Sequence, residues 1–159
     1  MYQVGDKVVH PMHGAGVIDS IVQRKVAGKL ENYYLLKLSV GSMTVMIPTE
    51  NTQEIGVRPV VSGQEAESLL NAMEGIEVDM TQNWNRRYRE NMVRLKSGDL
   101  LEVARVVKGL MLRDGKRGLS NGERKMLHTA KQILISELVL AQSLPYKTVE
   151  ENIDTVLSH

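Results

Sequence analysis

Cysteine and phenylalanine are both missing from this sequence. Without cysteine there is no disulfide, no thiolate zinc site and no cysteine nucleophile. A reducing cytoplasm is the compartment such a chain fits. Aromatic residues make up only 4% of the chain, as one Trp and five Tyr, so the core must be built from Val, Ile, Leu and Met. No apolar run approaches the roughly 20 residues that a membrane-spanning helix needs. The opening MYQVGDKVV has neither a basic nor an apolar segment, so no signal peptide is expected. Enzyme signatures are missing too: there is no GxxxxGK loop, GxGxxG, GxSxG or HExxH.

What is present is an ordinary globular balance, 42% hydrophobic and 25% charged over 159 residues. The net charge of +1 conceals a strong segregation. Residues 1–83 carry 6 basic and 10 acidic side chains, a balance of −4. Residues 84–131 carry 13 basic and 5 acidic, a balance of +8, and residues 132–159 carry 1 basic and 4 acidic, a balance of −3. A basic middle between acidic flanks suggests a surface for a polyanion, although a solvated helical face would look the same.

Along the chain the hydrophobic period changes. Lys7–His10, Val17–Val22, Asn32–Leu38 and Met43–Ile47 are β-type runs, separated by the turn clusters Pro11–Gly16, Ala27–Lys29 and Gly41–Ser42. Short strands at this spacing predict a small antiparallel barrel or strongly bent sheet over residues 1–56. Gly56–Pro59 reads as a junction. Residues 60–159 read as all-α, with capping-box starts at Ser62/Glu65, Ser120/Glu123 and Thr148/Glu151. Pro145 falls near the start of the last helix. Ser97-Gly98-Asp99 splits one periodic stretch into two helices, Gly115–Gly118 reads as a basic turn, and Met126–Leu140 is helical again. The fold class is therefore α+β.

The segment Asn83-Trp84-Asn85-Arg86-Arg87-Tyr88-Arg89 concentrates the chemistry. A guanidinium donates paired hydrogen bonds to phosphate and stays charged, and an aromatic among such cations can stack on a base or wedge into a base step. Two placements fit Trp84: the first turn of a helix, where it would protrude, and the core, with the Arg facing water; the residues alone allow both. Arg124 and Lys125 follow the Ser120 cap, where helix amides can also meet phosphate. No base-reading motif is present, so minor-groove or backbone contact is expected rather than major-groove readout. Asp6, His10 and His13 lie close enough in sequence to invite a metal site, but three such residues on a strand and its turn are weak evidence, and turn packing and hydrogen bonding explain the two His better.

Three motifs in order resemble the CarD/CdnL family of bacterial transcription regulators over essentially the whole chain. They are Val4–Gly16, Asn83–Arg89 and Arg113–Leu127, the last running on through Ala130–Leu134 to Glu137-Leu138. The resemblance implies a Tudor-like antiparallel β-barrel that docks on the β subunit of RNA polymerase, followed by a helical domain that contacts promoter DNA at the upstream edge of the transcription bubble. It implies a minor-groove wedge at Trp84, with phosphate contacts at Arg87, Arg89 and Arg124, and Arg86 beside them. Arg24 and Met46 match polymerase-contact positions; some relatives carry Arg where Met46 stands, so the contact here would lean on strand addition and apolar packing. No cofactor, metal, catalytic activity or membrane is implied, and one polymerase site implies action as a monomer. The competing reading is a free-standing architectural DNA binder, which needs the basic middle but no docking surface.

Overall fold

The computed structural model describes residues 1–158. Its strands are β1 (Lys7–His10), β2 (Gly14–Val26), β3 (Lys29–Leu38), β4 (Thr44–Pro48) and β5 (Arg58–Pro59). The helices are α1 (Thr52–Ile55), α2 (Gly63–Met73), α3 (Trp84–Lys96), α4 (Leu100–Arg117), α5 (Asn121–Gln142) and α6 (Tyr146–Leu157). The strands form one antiparallel sheet in the order β4-β3-β2-β1-β5. The α+β class expected from the sequence is what the chain adopts. No helix among the described residues is long and apolar enough to cross a membrane.

Alternation on β3 decides which face of the sheet is inside. Tyr34, Leu36 and Leu38 are buried and join Val8, Ile18, Ile47 and Val57 in a small core. A register shift between Ile18 and Ser20 bends β2, as a bulge does. Beyond it β2 and β3 extend as a ribbon to the two-residue turn Ala27-Gly28, where both φ angles are positive, as a type I′ hairpin requires. The helices enclose a separate, larger core in which Val103, Val106, Leu110, Leu134, Leu138 and Ile153 are sealed. At about 1.5–3 kcal/mol for each buried aliphatic side chain, this second core dominates the burial.

Helix boundaries follow side-chain chemistry in most places. Ser62 and Glu65 form the complete capping box at α2. Ser120 caps α5, and Asp99 caps α4 after Gly98. Three boundaries differ from the sequence reading. Thr148 does not cap α6: the helix begins at Tyr146 behind Pro145, whose φ of −63° is already that of a helix. Gly115–Arg117 is not a turn but the last turn of α4, which stops only at Gly118. Gly56–Pro59 is not a bare junction either. Gly56 ends α1, and Arg58-Pro59 pairs with Val8-Val9 as an edge strand.

That edge strand carries the joint between the two cores. Arg58 donates from Nη1 and Nη2 to the Glu137 carboxylate at 2.6 and 2.7 Å, and from Nε to the Gly98 carbonyl at 3.0 Å. The Val61 amide donates to the same carboxylate at 3.0 Å. Next to it, the Ala15 amide donates to Ser136 Oγ at 2.9 Å, and Ser39 Oγ donates to the Ser136 carbonyl at 2.8 Å. Gly14 is required where β2 meets α5: its φ is +104°, and a Cβ there would lie 2.6 Å from Ser136 Oγ. The Glu137 side chain is fully buried and that of Arg58 is 30% exposed. Removing one member of such a pair strands the other charge. Glu137→Ala is therefore expected to lower unfolding free energy by about 3 kcal/mol, read from the urea midpoint at unchanged m-value; a shift below about 0.5 kcal/mol, the level of a surface change, would show that the pair does not hold the joint.

Candidate nucleic-acid interface

The amino-terminal ends of α3 and α5 meet at the surface, and the single indole sits where they meet. Asn83 caps α3, its Oδ1 accepting from the Arg86 amide at 2.9 Å. Trp84 is therefore the first helical residue. One turn later, Tyr88 stacks on it with ring centroids 5.1 Å apart and planes 18° from parallel, as neighbours at i and i+4 can. Both rings lie over Gly122 in the first turn of α5, where a Cβ would be 3.7 Å from each. The indole Nε1 donates to Ser120 Oγ at 3.0 Å. Trp84 is nevertheless 42% exposed. It is neither sealed in the core nor free to rotate; one edge is pinned and the rest faces solvent.

Beneath the pair lies a buried ion pair. Arg87 and Glu123 are 1% and 2% exposed. Arg87 donates from Nε and Nη2 to the two Glu123 oxygens at 2.7 and 3.1 Å. Its Nη1 donates to the carbonyls of Thr81 and Gln82, each at 3.1 Å. Ser120 Oγ accepts from the Glu123 amide at 3.2 Å and donates to its carboxylate at 3.3 Å. The Arg87 hydrogen bond holds the Glu123 carboxyl below the usual carboxylate range; desolvation opposes this, and the charges of Arg87 and Arg113 add to it.

This arrangement corrects one expectation. Arg87 was expected at a phosphate, but its guanidinium is inside and fully engaged with Glu123 and two carbonyls. A buried guanidinium without its carboxylate would be costly, and this one is held to the Glu123 carboxylate and two carbonyls rather than presented at the surface. The other predicted residues lie outside. Arg89 is exposed and makes no ion pair among the described residues. Arg124 is exposed, with Nη2 3.3 Å from the Leu119 carbonyl. Arg86 is exposed and pairs with Glu90 at 3.0 Å, a contact weak enough to exchange for phosphate. Tyr88, Ser120 and Glu123 were not singled out as site residues. The i, i+4 spacing of Trp84 and Tyr88 was available as a signal; the tertiary partners on α5 were not.

The two residues expected at a protein partner lie far from this site in sequence, on the sheet. Arg24 opposes Glu31 and Met46 opposes Leu35 across β3. Both partners are odd-numbered on a strand whose even residues face the core, so Arg24 and Met46 share the outer face. Met46 is on edge strand β4 and is exposed. As for a metal, the His10 and His13 rings are 4.6 Å apart, but Asp6 accepts from the Gln3 amide at 2.8 Å, and no group of three such ligands could hold an ion among the described residues. Burial, then the neighbouring His13, lowers the pKa of His10.

Two family models match the chain. The one described as "CarD-like/TRCF RID domain" covers residues 2–61, and the one described as "CarD, C-terminal domain" covers residues 68–154. The chain is also 35% identical over 150 residues to the "Putative transcription factor YdeB" of Bacillus subtilis (strain 168), an overlap that takes in 94% of this chain and 98% of that protein.

Glu123 makes stability at this site depend on pH. Its folded pKa lies below the ordinary 4.5, so the unfolded chain binds its proton first as pH falls, and the stabilisation is complete above about pH 4.5 and is lost through the lower folded value. In Glu123→Gln that acid-range slope should flatten and the Trp84 emission at neutral pH should move to longer wavelength. Urea titrations at about pH 7 and pH 3 check the first; an acid-range slope equal to wild type would remove Glu123 from the clamp.

Proposed function

This chain belongs to the CarD family of transcription regulators, and from that premise we propose that it docks on the β subunit of RNA polymerase and stabilises the open promoter complex. The relatives point to transcription factors rather than enzymes, and this reading assigns the chain no reaction and no cofactor. The outer face of the sheet, with Arg24, Met46 and the unpaired edge of β4, is the docking surface. Edge strands accept added strands. The helical half brings Trp84 to the minor groove at the upstream edge of the bubble, with Arg89, Arg124 and, by exchange from Glu90, Arg86 on the flanking phosphates. One protomer acts per polymerase, in the cytoplasm where the nucleoid lies.

The observation that carries this reading is the pinned but 42% exposed indole at the meeting point of two helix starts. A ring held in place loses little further freedom on binding. Base–aromatic stacking is worth about 1–3 kcal/mol. DNA melting is a two-state equilibrium, and a factor shifts it only by its differential affinity for the two states. About 1.4 kcal/mol changes the population ratio tenfold, within reach of a single stack. Because the contacts are to backbone and groove, the effect is on the lifetime of melted DNA and not on the choice of sequence.

Two measurements test this. Trp84→Ala should shorten open-complex lifetime on a weak promoter about tenfold, while co-purification of the full chain with polymerase stays unchanged. Equal loss of both, or of neither, would break the proposed division between sheet and helices. Arg124→Gln should weaken binding to melted-junction DNA and reduce the slope of log affinity against log salt by about 0.9. An unaltered slope would take Arg124 off the phosphate path.

A further inference from the structure

The connection between α2 and α3, residues 74–83, lies against α4 without forming a helix or strand. Cationic side chains hold it by its carbonyls at both ends. Lys108 Nζ donates to the Ile76 carbonyl and Arg105 Nη1 to that of Glu77, each at 2.7 Å. Arg87 takes the carbonyls of Thr81 and Gln82. Between these fastenings the anchor is a thioether. A Cβ built on Gly109 of α4 would collide with Met80 Cε and lie 2.7 Å from Sδ and 2.8 Å from Val78 Cγ1. The strap thus rests on bare helix backbone, and the Met80 sulfur fills the notch left by a missing side chain. Asn91 Nδ2 lies 3.8 Å from that sulfur. Met80 is only partly buried, so part of its side chain meets solvent.

We infer that Met80 is a site of reversible oxidation by hydrogen peroxide, and that its oxidation state sets the pose of Trp84 four residues further on. A sulfur lone pair attacks one peroxide oxygen; the S–O bond forms as the O–O bond breaks. The thioether loses two electrons, and the departing hydroxide takes the proton of the transferred oxygen to leave as water. The sulfoxide is larger, polar and pyramidal. It cannot keep the contact over Gly109, so the strap rises between Glu77 and Thr81. The carbonyls that Arg87 holds and the Asn83 cap lie on that same strap, and the indole shifts away from Ser120. A sulfoxide reductase returns the thioether, releasing water as a dithiol becomes a disulfide. Met1, Met43 and Met46 are exposed and press on no such notch. In a chain without cysteine, methionine is the side chain left for reversible two-electron oxidation.

The consequence for DNA rests on the function proposed above; the oxidation itself does not. The full chain is treated with hydrogen peroxide, its sulfoxides are mapped by peptide mass spectrometry, and the emission of the single Trp and affinity for forked duplex DNA are measured in wild type and in Met80→Leu, which preserves volume. Expected in wild type are a Met80 sulfoxide, a red-shifted emission and DNA affinity about tenfold lower, all restored by reductase and dithiothreitol, with neither change in M80L. The inference is overturned if Met80 stays reduced while Met43 and Met46 are converted, or if M80L shows the same red shift. A shift abolished by M80L with DNA affinity unaltered would uphold Met80 as the redox site and overturn the DNA role of Trp84.

Discussion

Taking a carboxylate out of water costs several kcal/mol unless its charge and lone pairs are matched, and α5 buries two. Glu123 and Glu137 are 2% and 0% exposed, and each is matched by a bidentate arginine from another part of the chain. Arg87 brings α3 and the strap before it to the start of α5; Arg58 brings the edge of the sheet to its C-terminal half. At ~1.5 Å rise per residue the two carboxylates lie about 21 Å apart along one helix axis. That helix fixes the distance between the sheet and the indole. Such pairs contribute little as net stability. Their effect is on arrangement, because a slipped register would leave two charges unmatched.

Strands β1 to β4 and most helix starts were legible in the sequence, each from a local rule; for Trp84 the residues allowed both an exposed helix start and a core anchor. A β-type run between turn clusters gave β3, Ser62 and Ser120 gave caps, and Ser97-Gly98-Asp99 gave the break between α3 and α4. What was not legible was tertiary. Arg87 sits in a run of cations that reads as a solvated face, and α3 has few apolar residues to reveal which side is inward. Its buried positions are Arg87, Asn91 and Leu95, spaced by four; only Leu95 looks like core. The partner that draws Arg87 inward is 36 residues away. Strand β5 was hidden for a related reason: two residues, one of them proline, carry no periodicity, and pairing with β1 alone creates the strand. At α6 two local rules competed, and the preset φ of Pro145 outweighed the hydroxyl of Thr148.

Burial also changes what the basic middle of the chain means. Its balance of +8 is a property of sequence, but several of those cations are already engaged by carboxylates or carbonyls of the protein. Arg87 is matched by Glu123, Arg94 and Arg105 both lean on Glu102, and Lys131 meets Asp154. Lys108 holds a carbonyl. Within residues 84–131, the exposed cations that make no ion pair among the described residues are Arg89, Lys96, Lys116, Arg117, Arg124 and Lys125. The usable field is thus smaller than composition suggests, and its two parts nearest the indole are the first two turns of α3 and the first turn of α5.

So modest a cationic surface would grip DNA weakly by itself. In the proposed function it does not have to act alone. Once the sheet is docked, the DNA-facing half is confined near its target at an effective concentration in the mM range, where a contact with a Kd of about 1 mM, or roughly 4 kcal/mol, is half occupied. One stacked base and a few phosphates reach that figure. The gain depends on the link being short and stiff, since a loose tether dilutes its own end. Here the link is α5 itself, joined to the sheet through Glu137 and Ser136 and to the indole through Glu123 and Ser120. In that reading the same stiffness makes the indole sensitive to the strap that precedes it: a ring fixed by tertiary contacts is well placed only while those contacts hold, so the change inferred at Met80, or the loss of Glu123, would move it as a unit rather than merely loosen one rotamer.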